Sequence, residues 1–352
     1  MRGRDKNLLA SARIVETRSG LTWNDFRAEQ IAADLVMTTP AIRPASTRQY
    51  RAMRCLAIDA VTAGIVGRLR AQGIRSLLLK GPSIAHWLYE PPYERTYGDI
   101  DLIVDGERFT EAEAVLAAAG FHYALAGAAP AEKASTHDWL SPGPLPVRLD
   151  LHRTFHHVTA PDAETWRELS ASTEWLSVSG EDVEIPSEAG RCLIVALHAS
   201  SHGDRVAWPL RDLTLAVGRG SDEAWTEAAA MASRLGASNA FLVGLRLVPR
   251  GVRLAASLGE EPQLSTELAL LAGSEPMQAV ILERLLTMPG AWAKTRFLAR
   301  RMAPTPAAMR YRYAIEETQR FRLALAYPRR WTHLVKDFPV SARAWRRARK
   351  AA

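Results

Sequence analysis

Two acidic residues stand at the head of an apolar segment of the chain. Asp99 and Asp101 flank Ile100 in the run DIDLIV, which ends at Val104. Because side chains alternate across a β-strand, both carboxylates lie on one face, about 7 Å apart. Buried carboxylates repel each other and require a cation, and hard oxygen ligands suit Mg²⁺. The triplet alone fits a solvated strand end equally well, so the surrounding residues must decide between a metal site and a plain strand end.

A third acid occupies another apolar run. Asp150 lies between Leu149 and Leu151 in the segment 147–152, a pattern typical of a strand. With both leucines directed toward a core, the carboxylate faces the other way, which is unusual unless it faces a site. His152 shares the face of Asp150 and is therefore also expected to line that site.

A glycine turn precedes the acidic pair by 18 residues. Gly81 lies where a strand is expected to pass into a helix, so its backbone allows a ligand to approach closely, and the N–H groups of the following helix attract anions. Lys80 adds a positive charge and Ser83 a hydroxyl. Arg95, between the turn and the acidic pair, is a candidate clamp for a phosphate or a base. These residues predict an anion-binding turn.

Taken together and in this order, these residues resemble a family of bacterial nucleotidyltransferases described as uncharacterised, within the DNA polymerase β-like superfamily. The resemblance implies that Asp99 and Asp101 are the paired acids and Asp150 the third, and that they bind two Mg²⁺ ions (or Mn²⁺) and an NTP. Pro82 is a departure, because the superfamily has Gly-Ser where this chain has Gly-Pro-Ser. The Lys-Gly pair instead resembles this family and related toxin-type transferases, which makes Lys80 a candidate triphosphate ligand. The residues that carry the resemblance are Leu79-Lys80-Gly81, Ala85, Tyr89, Arg95, the run 99–104 and Leu149-Asp150-Leu151-His152.

The resemblance implies transfer of a nucleoside monophosphate from an NTP to an acceptor hydroxyl or phosphate. In this scheme Asp99 and Asp101 hold one ion on the triphosphate, and Asp150 joins them at a second ion that activates the acceptor. The acceptor is expected to be a small molecule or a peptide or protein side chain. Two alternatives stay open: a toxin-like transferase acting on tRNA ends, and a non-catalytic nucleotide-binding or regulatory protein. The three intact acids argue against the non-catalytic alternative.

The helical half of the chain offers weaker candidates for the acceptor side of the site. His198 and His202 are four residues apart on an expected helix and share a face, but without an HExxH pattern a packing or supporting role is favoured over metal ligation. Asp212 follows Arg211 and is interpreted as part of a structural salt bridge or as an acceptor-positioning group. No GxGxxG, P-loop or GxSxG motif is present, which excludes Rossmann, P-loop and serine-hydrolase interpretations.

The periodicity predicts an α/β (α+β) fold with a nucleotidyltransferase-type mixed sheet flanked by helices, followed by a helical C-terminal domain. We divide the chain into an N-terminal extension (1–45), a catalytic domain (46–187), a helical domain (188–290) and a basic helical tail (291–352). The expected strands are 74–79, 99–104, 121–125, 136–140 and 147–152, with a hairpin of 175–178 and 183–185. The expected helices are 47–72, 83–89, 107–119, 188–201, 209–218, 222–235, 238–258, 263–273, 276–287 and 291–302.

Charge is distributed unevenly over the 352 residues, whose net charge is +7. Residues 291–352 contain 16 Lys or Arg against 3 acidic residues, a net +13 that leaves −6 for residues 1–290. Arginines interleaved with aromatic residues in this tail suit nucleic acid, and a membrane surface or the acidic body of the protein are the alternatives.

The composition is that of a soluble globular protein, and its two cysteines lack a CxxC spacing, which favours a reducing cytoplasm. No apolar run reaches transmembrane length, and no signal peptide is recognised at the N-terminus.

Overall fold

The structure is a computed structural model that describes residues 47–124, 134–143, 145–259, 261–313, 315–316 and 318–352. These residues belong to one compact unit, Pro44–Ala352. The extension predicted for residues 1–45 lies outside the described residues, as does Leu125 at the end of a predicted strand. The domain boundaries predicted at 187/188 and 290/291 stay predictions.

A mixed five-stranded sheet forms the centre of the N-terminal half. The strands are β1 (Ser76–Leu78), β2 (Asp99–Val104), β3 (His122–Tyr123), β4 (Thr136–Leu140) and β5 (Arg148–His152). Their order is β1-β2-β5-β4-β3, in which β2 and β5 are parallel and the other neighbours are antiparallel. The predicted mixed sheet flanked by helices is thereby confirmed. A separate hairpin pairs β6 (Thr173–Val178) with β7 (Glu181–Pro186), and its turn residues Ser179 and Gly180 both have positive φ.

One face of the sheet is mostly apolar and packs against two helices. Ile100 and Leu102 of β2 lie on this face with Leu149 and Leu151 of β5, in register with each other. They are buried beneath α1 (Thr47–Ala71) and α3 (Phe109–Ala118). Because the apolar residues of β2 and β5 are spaced by two, the polar residues between them are forced onto the opposite face.

The opposite face is only partly covered by apolar contacts. Leu77, Leu79 and Ile103 pack against α5 (Glu188–His202), a helix that is buried along most of its length. Ser187 begins this helix by accepting a hydrogen bond from the Gly190 N–H, as the sequence predicts for a capping serine. The remaining polar residues of β2 and β5 lie on this face and form the candidate site.

The C-terminal half is helical, and most of its predicted helices are present with similar bounds. The prediction of one helix over 238–258 is wrong, because Val248 adopts an extended backbone before Pro249 and separates two helices. The helix Asp162–Ser170 has no counterpart in the prediction. The helices not yet given are α2 (Pro82–Leu88), α4 (Asp162–Ser170), α6 (Ala207–Arg219), α7 (Asp222–Arg234), α8 (Ser238–Arg246), α9 (Pro249–Leu258), α10 (Thr266–Ala272), α11 (Met277–Thr287), α12 (Ala291–Met302), α13 (Pro306–Tyr313) and α14 (Arg320–Ala351).

The basic tail is folded against the helical body. Ala344 and Ala348 of α14 pack with Leu270 and Leu271 of α10 and with α11. In the parts of the chain that the structure describes, no helix combines the length and the apolar character that crossing a bilayer requires.

Candidate active site

The parallel pairing of β2 with β5 brings three potential metal ligands together. Asp101 lies directly opposite Asp150, and His152 lies one pleat further along the same face. One ligand atom from each of these three side chains lies within 4.8 Å of the others. Asp99 shares the face but is opposite Arg148, one pleat away from this group. The sequence therefore placed all three acids on the correct face, whereas the closest grouping includes His152 instead of Asp99.

Asp101 is the buried centre of the group. Its Oδ1 accepts from Lys80 Nζ at 2.8 Å and lies 3.1 Å from His152 Nε2. The other ring nitrogen of His152 is 2.9 Å from Thr136 Oγ1, which fixes the plane of the imidazole. Burial by itself would raise the pKa of Asp101, but Lys80 and His152 outweigh it and hold the pKa well below its ordinary value. Asp101 is therefore an anion whose charge is compensated by Lys80 and whose oxygen also contacts His152.

The other two acids are less well compensated. Arg148 Nε lies 2.9 Å from Asp150 Oδ1, and the same guanidinium is shared with Asp138, at 3.0 Å. Burial, together with the charge of Asp101, still raises the pKa of Asp150 to about 7. Burial and Asp101 likewise raise the pKa of Asp99. Three carboxylates crowded into one half-buried face favour the binding of an additional cation.

The glycine turn lies at the edge of this group. Gly81 has φ 64° and ψ −121°, a conformation that only glycine adopts without strain, and a Cβ there would contact the ring of Tyr97 at 3.6 Å. Pro82 then occupies the first helical position of α2, where its missing N–H costs no hydrogen bond. Ser83 is buried, and within the described residues its Oγ has no hydrogen-bond partner. An orphaned hydroxyl beside the turn fits a ligand-binding role.

Arg95 lies behind the turn and not in the open part of the site. Its guanidinium forms a bidentate pair with Asp212, at 3.0 Å and 2.7 Å, and a longer bond to the Gly81 carbonyl at 3.4 Å. Tyr89 donates its hydroxyl hydrogen to the same Asp212 carboxylate at 2.7 Å. The donors of Arg95 are thus engaged within the protein, which favours support of the turn over direct contact with a phosphate or a base.

Asp212 thereby forms the structural salt bridge that the sequence suggested, with a distant partner. Its neighbour Arg211 lies 4.0 Å from Glu94 and stacks over the rings of Tyr89 and Trp208. Consecutive residues on a helix point about 100° apart, so Arg211 and Asp212 reach different surroundings.

The two histidines of α5 approach the site from the helical half. The rings of His198 and His202 are 4.7 Å apart in an edge-to-face arrangement. Burial, followed by the positive charge of Lys80, lowers the pKa of His202 to about 4 and that of His198 well below its ordinary value. Both rings are therefore neutral near pH 7. Within the described chain they do not join a group of three metal ligands.

One neighbour of the site, Arg148, was missed by the sequence analysis. Arg148 and Asp138 lie on the face of Asp150, and the period of two on β5 is the signal that could have found Arg148. Neighbouring residues of a strand point to opposite faces, so at most one of His137 and Asp138 can face the site, and it is Asp138. His137 points to the other face, where its Nδ1 lies 2.6 Å from Glu113.

A comparison with protein families identifies the chain. A family model described as "Uncharacterised nucleotidyltransferase" matches residues 32–251, more than half of the sequence. The chain belongs to this family. The matched part of the chain contains every candidate residue from Lys80 to Asp212, and it ends before the basic tail.

Among solved structures, similar chains include two of the antibiotic-resistance factor ANT(2'')-Ia and one protein from Paracoccidioides brasiliensis. The first ANT(2'')-Ia structure is 17% identical, with a TM-score of 0.35, and the match covers 50% of this chain and 91% of that chain. The second, a complex with adenylyl-2''-tobramycin, is 18% identical, with a TM-score of 0.35 and coverages of 50% and 97%. The third, an antigenic nucleotidyltransferase-like protein, is 16% identical, with a TM-score of 0.34 and coverages of 51% and 92%. No curated protein matches this chain.

Proposed function

We propose that the chain is a divalent-metal-dependent nucleotidyltransferase that moves a nucleoside monophosphate from an NTP to an acceptor hydroxyl or phosphate. The acceptor class that we propose is a small molecule or a peptide or protein side chain. The observation that carries the proposal is the register of the sheet, which sets Asp101 opposite Asp150 beside Lys80 and the Gly81 turn. Membership of the nucleotidyltransferase family supports the same class of reaction.

The donor set fits a hard divalent cation. Asp101 and Asp150 offer carboxylate oxygens on one face, and Asp99 adds a third carboxylate one pleat along. Such oxygens are the ligands that Mg²⁺ and Mn²⁺ prefer in proteins, and His152 is a nitrogen ligand more typical of Mn²⁺. When bound, the metal ions would neutralise the triphosphate and lower the pKa of the acceptor hydroxyl.

The residues of the turn would bind and orient the triphosphate. The side chain of Lys80 is 23% exposed, so its ammonium has a path from Asp101 to an incoming phosphate. Ser83 Oγ is a free donor beside the turn. Arg95 and Asp212 would hold the Gly81 carbonyl and keep the backbone N–H groups in place. Phosphoryl transfer depends mainly on such positioning and charge neutralisation.

The acceptor would approach from the side of the histidines. His152 touches Asp101, and the neutral rings of His198 and His202 line the adjacent part of α5. A neutral imidazole accepts or donates a hydrogen bond without adding positive charge, which suits the binding of an acceptor hydroxyl. Asp212 is engaged by Arg95 and Tyr89, so we assign it to support of the turn and not to the acceptor.

The test uses the full chain with each common NTP, labelled at the α-phosphate, and Mg²⁺. We expect pyrophosphate release together with label on an added acceptor or on the protein itself, and we expect both to vanish in the Asp99→Ala/Asp101→Ala double variant. Unchanged turnover in that variant would overturn the site assignment.

Measuring the binding of an NTP analogue distinguishes an enzyme that lacks its acceptor from a non-catalytic protein. An α,β-methylene NTP, which cannot release pyrophosphate, should bind in the presence of Mg²⁺ with an affinity that the double variant loses. Binding of the analogue without pyrophosphate release from any NTP, with or without tRNA, would favour a regulatory nucleotide-binding protein. Label that appears on added tRNA would favour the toxin-like alternative.

A further inference from the structure

The outer face of α14 carries an exposed apolar stripe. Phe321, Leu325 and Val335 are 76%, 53% and 73% exposed. Their positions fit a repeat of alternating four and three residues that also includes Pro328, Thr332 and Pro339. Side chains with this repeat lie on one face of a helix. The stripe therefore runs over residues 321–339 of the 32-residue helix, with Thr332 as its one polar member.

The orientation of the stripe is fixed by contacts on the other side of α14. Ala344 and Ala348 are packed against the helical body, and Trp345 donates its indole N–H to Glu283 at 2.6 Å. Nearer the start of the helix, Tyr327 donates to the Pro304 carbonyl at 2.9 Å. Because the inner face is held in this way, the apolar stripe cannot turn inward without breaking these contacts.

A file of positive charges runs along one edge of the stripe. Its members recur every seven residues, so they follow one line on the helix surface. All of them are exposed, and within the described residues none of them forms an ion pair. The file consists of Arg322, Arg329, Lys336, Arg343 and Lys350.

The charges and the apolar side chains of this face together indicate which kind of ligand it binds. Cations alone would suit any polyanion, including nucleic acid. The stripe adds exposed aliphatic side chains, Leu325 and Val335, which a phosphodiester backbone would leave in water. An anionic bilayer satisfies both parts, because its acyl region takes up apolar side chains and its headgroups attract lysine and arginine. The absence of a membrane-spanning helix among the described residues is compatible with a helix that lies on the surface.

We propose that α14 binds the surface of an anionic lipid bilayer, with its apolar stripe inserted and its file of cations against the headgroups. The proposal does not rest on the proposed function. The helix lies outside residues 32–251, to which the family match is confined. Membrane binding is therefore a property of this chain beyond the nucleotidyltransferase fold.

The test measures co-sedimentation of the full chain with phosphatidylcholine vesicles that lack or contain about one-third phosphatidylserine. We expect binding to the anionic vesicles only, and a decrease of this binding between about 0.05 M and about 0.5 M salt. At about fivefold per cation near a bilayer surface, the Arg322→Gln/Arg329→Gln/Lys336→Gln variant should bind about 100-fold more weakly. The Leu325→Ser/Val335→Ser variant should also bind at least about tenfold more weakly, because it loses the inserted side chains.

A matched control removes three exposed arginines elsewhere, in the variant Arg68→Gln/Arg167→Gln/Arg253→Gln. It should bind anionic vesicles as the wild type does, and circular dichroism should show unchanged helix content in all variants. Equal binding to neutral vesicles, or equal loss in the control, would overturn the proposal. Binding to tRNA that needs the cations but tolerates Leu325→Ser/Val335→Ser, without vesicle binding, would overturn it in favour of nucleic acid.

Discussion

Charge is used in opposite ways in the sheet site and in α14. In the site, residues from distant parts of the chain meet, and the two most deeply buried carboxylates each have a cationic partner: Asp101 has Lys80 and Asp212 has Arg95. On α14, the file of cations that begins at Arg322 follows one line, faces solvent and has no ion pair within the described residues, whereas Arg347 of the same helix pairs with Glu275. The first arrangement is a pocket that selects a small charged ligand, and the second is a surface suited to an extended polyanionic one.

The two ion pairs of the site differ in their exposure to solvent and in the number of contacts that hold them. Lys80 is partly exposed and makes one contact to Asp101, so a ligand can displace it. Arg95 is buried and bidentate to Asp212, which also accepts from Tyr89, so this pair is part of the framework. We infer that the Lys80 pair takes part in ligand exchange, while the Arg95 pair holds the turn that the ligand contacts.

The largest effect on activity is expected when the Lys80–Asp101 pair is removed. Asp101→Asn removes a carboxylate that anchors Lys80 and that we propose as a metal ligand, so loss of several kcal/mol of transition-state stabilisation should lower the rate by about a thousandfold. Pyrophosphate release under saturating NTP measures this effect. Asp105→Asn is the matched control, because Asp105 lies just beyond the same strand and only caps the turn that follows. Equal losses in the two variants would contradict a special role for Asp101.

Loss of the Arg95–Asp212 pair should affect the free energy of unfolding more than it affects ligand exchange. Asp212→Asn leaves the buried Arg95 guanidinium without its anion and should lower the free energy of unfolding by about 3–5 kcal/mol. The double variant Arg95→Met/Asp212→Leu should recover much of this loss, because no uncompensated charge remains. Urea denaturation measures both variants.

The neighbouring Arg211 supplies the control for that experiment. Its side chain is largely exposed and lies 4.0 Å from Glu94, so Arg211→Gln should cost about 1 kcal/mol or less. If Arg211→Gln destabilises the protein as much as Asp212→Asn does, the buried pair is not the framework element that we describe.

The turn should respond to a single added methyl group. Gly81→Ala forces alanine into a conformation that costs about 1–3 kcal/mol, so the KM for NTP should rise by about 10- to 100-fold. Gly73→Ala is the matched control, since Gly73 also has positive φ (66°) but lies at the end of α1. Its variant should lose stability and keep its KM. A normal KM in Gly81→Ala would separate the turn from nucleotide binding.

The last effect concerns the half-buried histidines of α5. The pKa of His202 is lowered from 6.5 to about 4, so the unfolded chain binds a proton between these pH values that the folded protein does not. His202 therefore makes its full contribution to stability above pH 6.5, and this contribution is lost as the pH falls toward 4. In His202→Gln, the free energy of unfolding should depend less on pH between 6.5 and 4. Urea denaturation at several pH values measures this dependence. The same substitution at exposed His333 controls for the loss of a histidine as such, and a parallel flattening there would contradict the assignment.

The alternation of polar and apolar residues predicted the features of the site that are set within a single strand. The bounds of β2 (Asp99–Val104) and β4 (Thr136–Leu140) agree with the prediction, and the period of two placed Asp99, Asp101 and Asp150 on one face. Alternation is a property of the strand itself, so it can be read without knowing the fold.

The remaining features depend on contacts between distant segments. The register that sets Asp101 beside Asp150 is fixed by the whole sheet, and nothing near either residue specifies it. Arg95 and Asp212 are 117 residues apart, so their pairing follows from the packing of α6 against the α2 region. The break at Pro249, by contrast, was readable, since the residue before proline disfavours a helix.

The central claim is that Asp101 and Asp150 hold a divalent cation at the nucleotide site. Titration of the full chain with Mn²⁺ in the presence of an α,β-methylene NTP, followed by the electron paramagnetic resonance of free Mn²⁺, tests it directly. The wild type and Asp105→Asn should show saturable Mn²⁺ binding that Asp101→Asn/Asp150→Asn lacks. Equal binding by all three proteins would contradict the account.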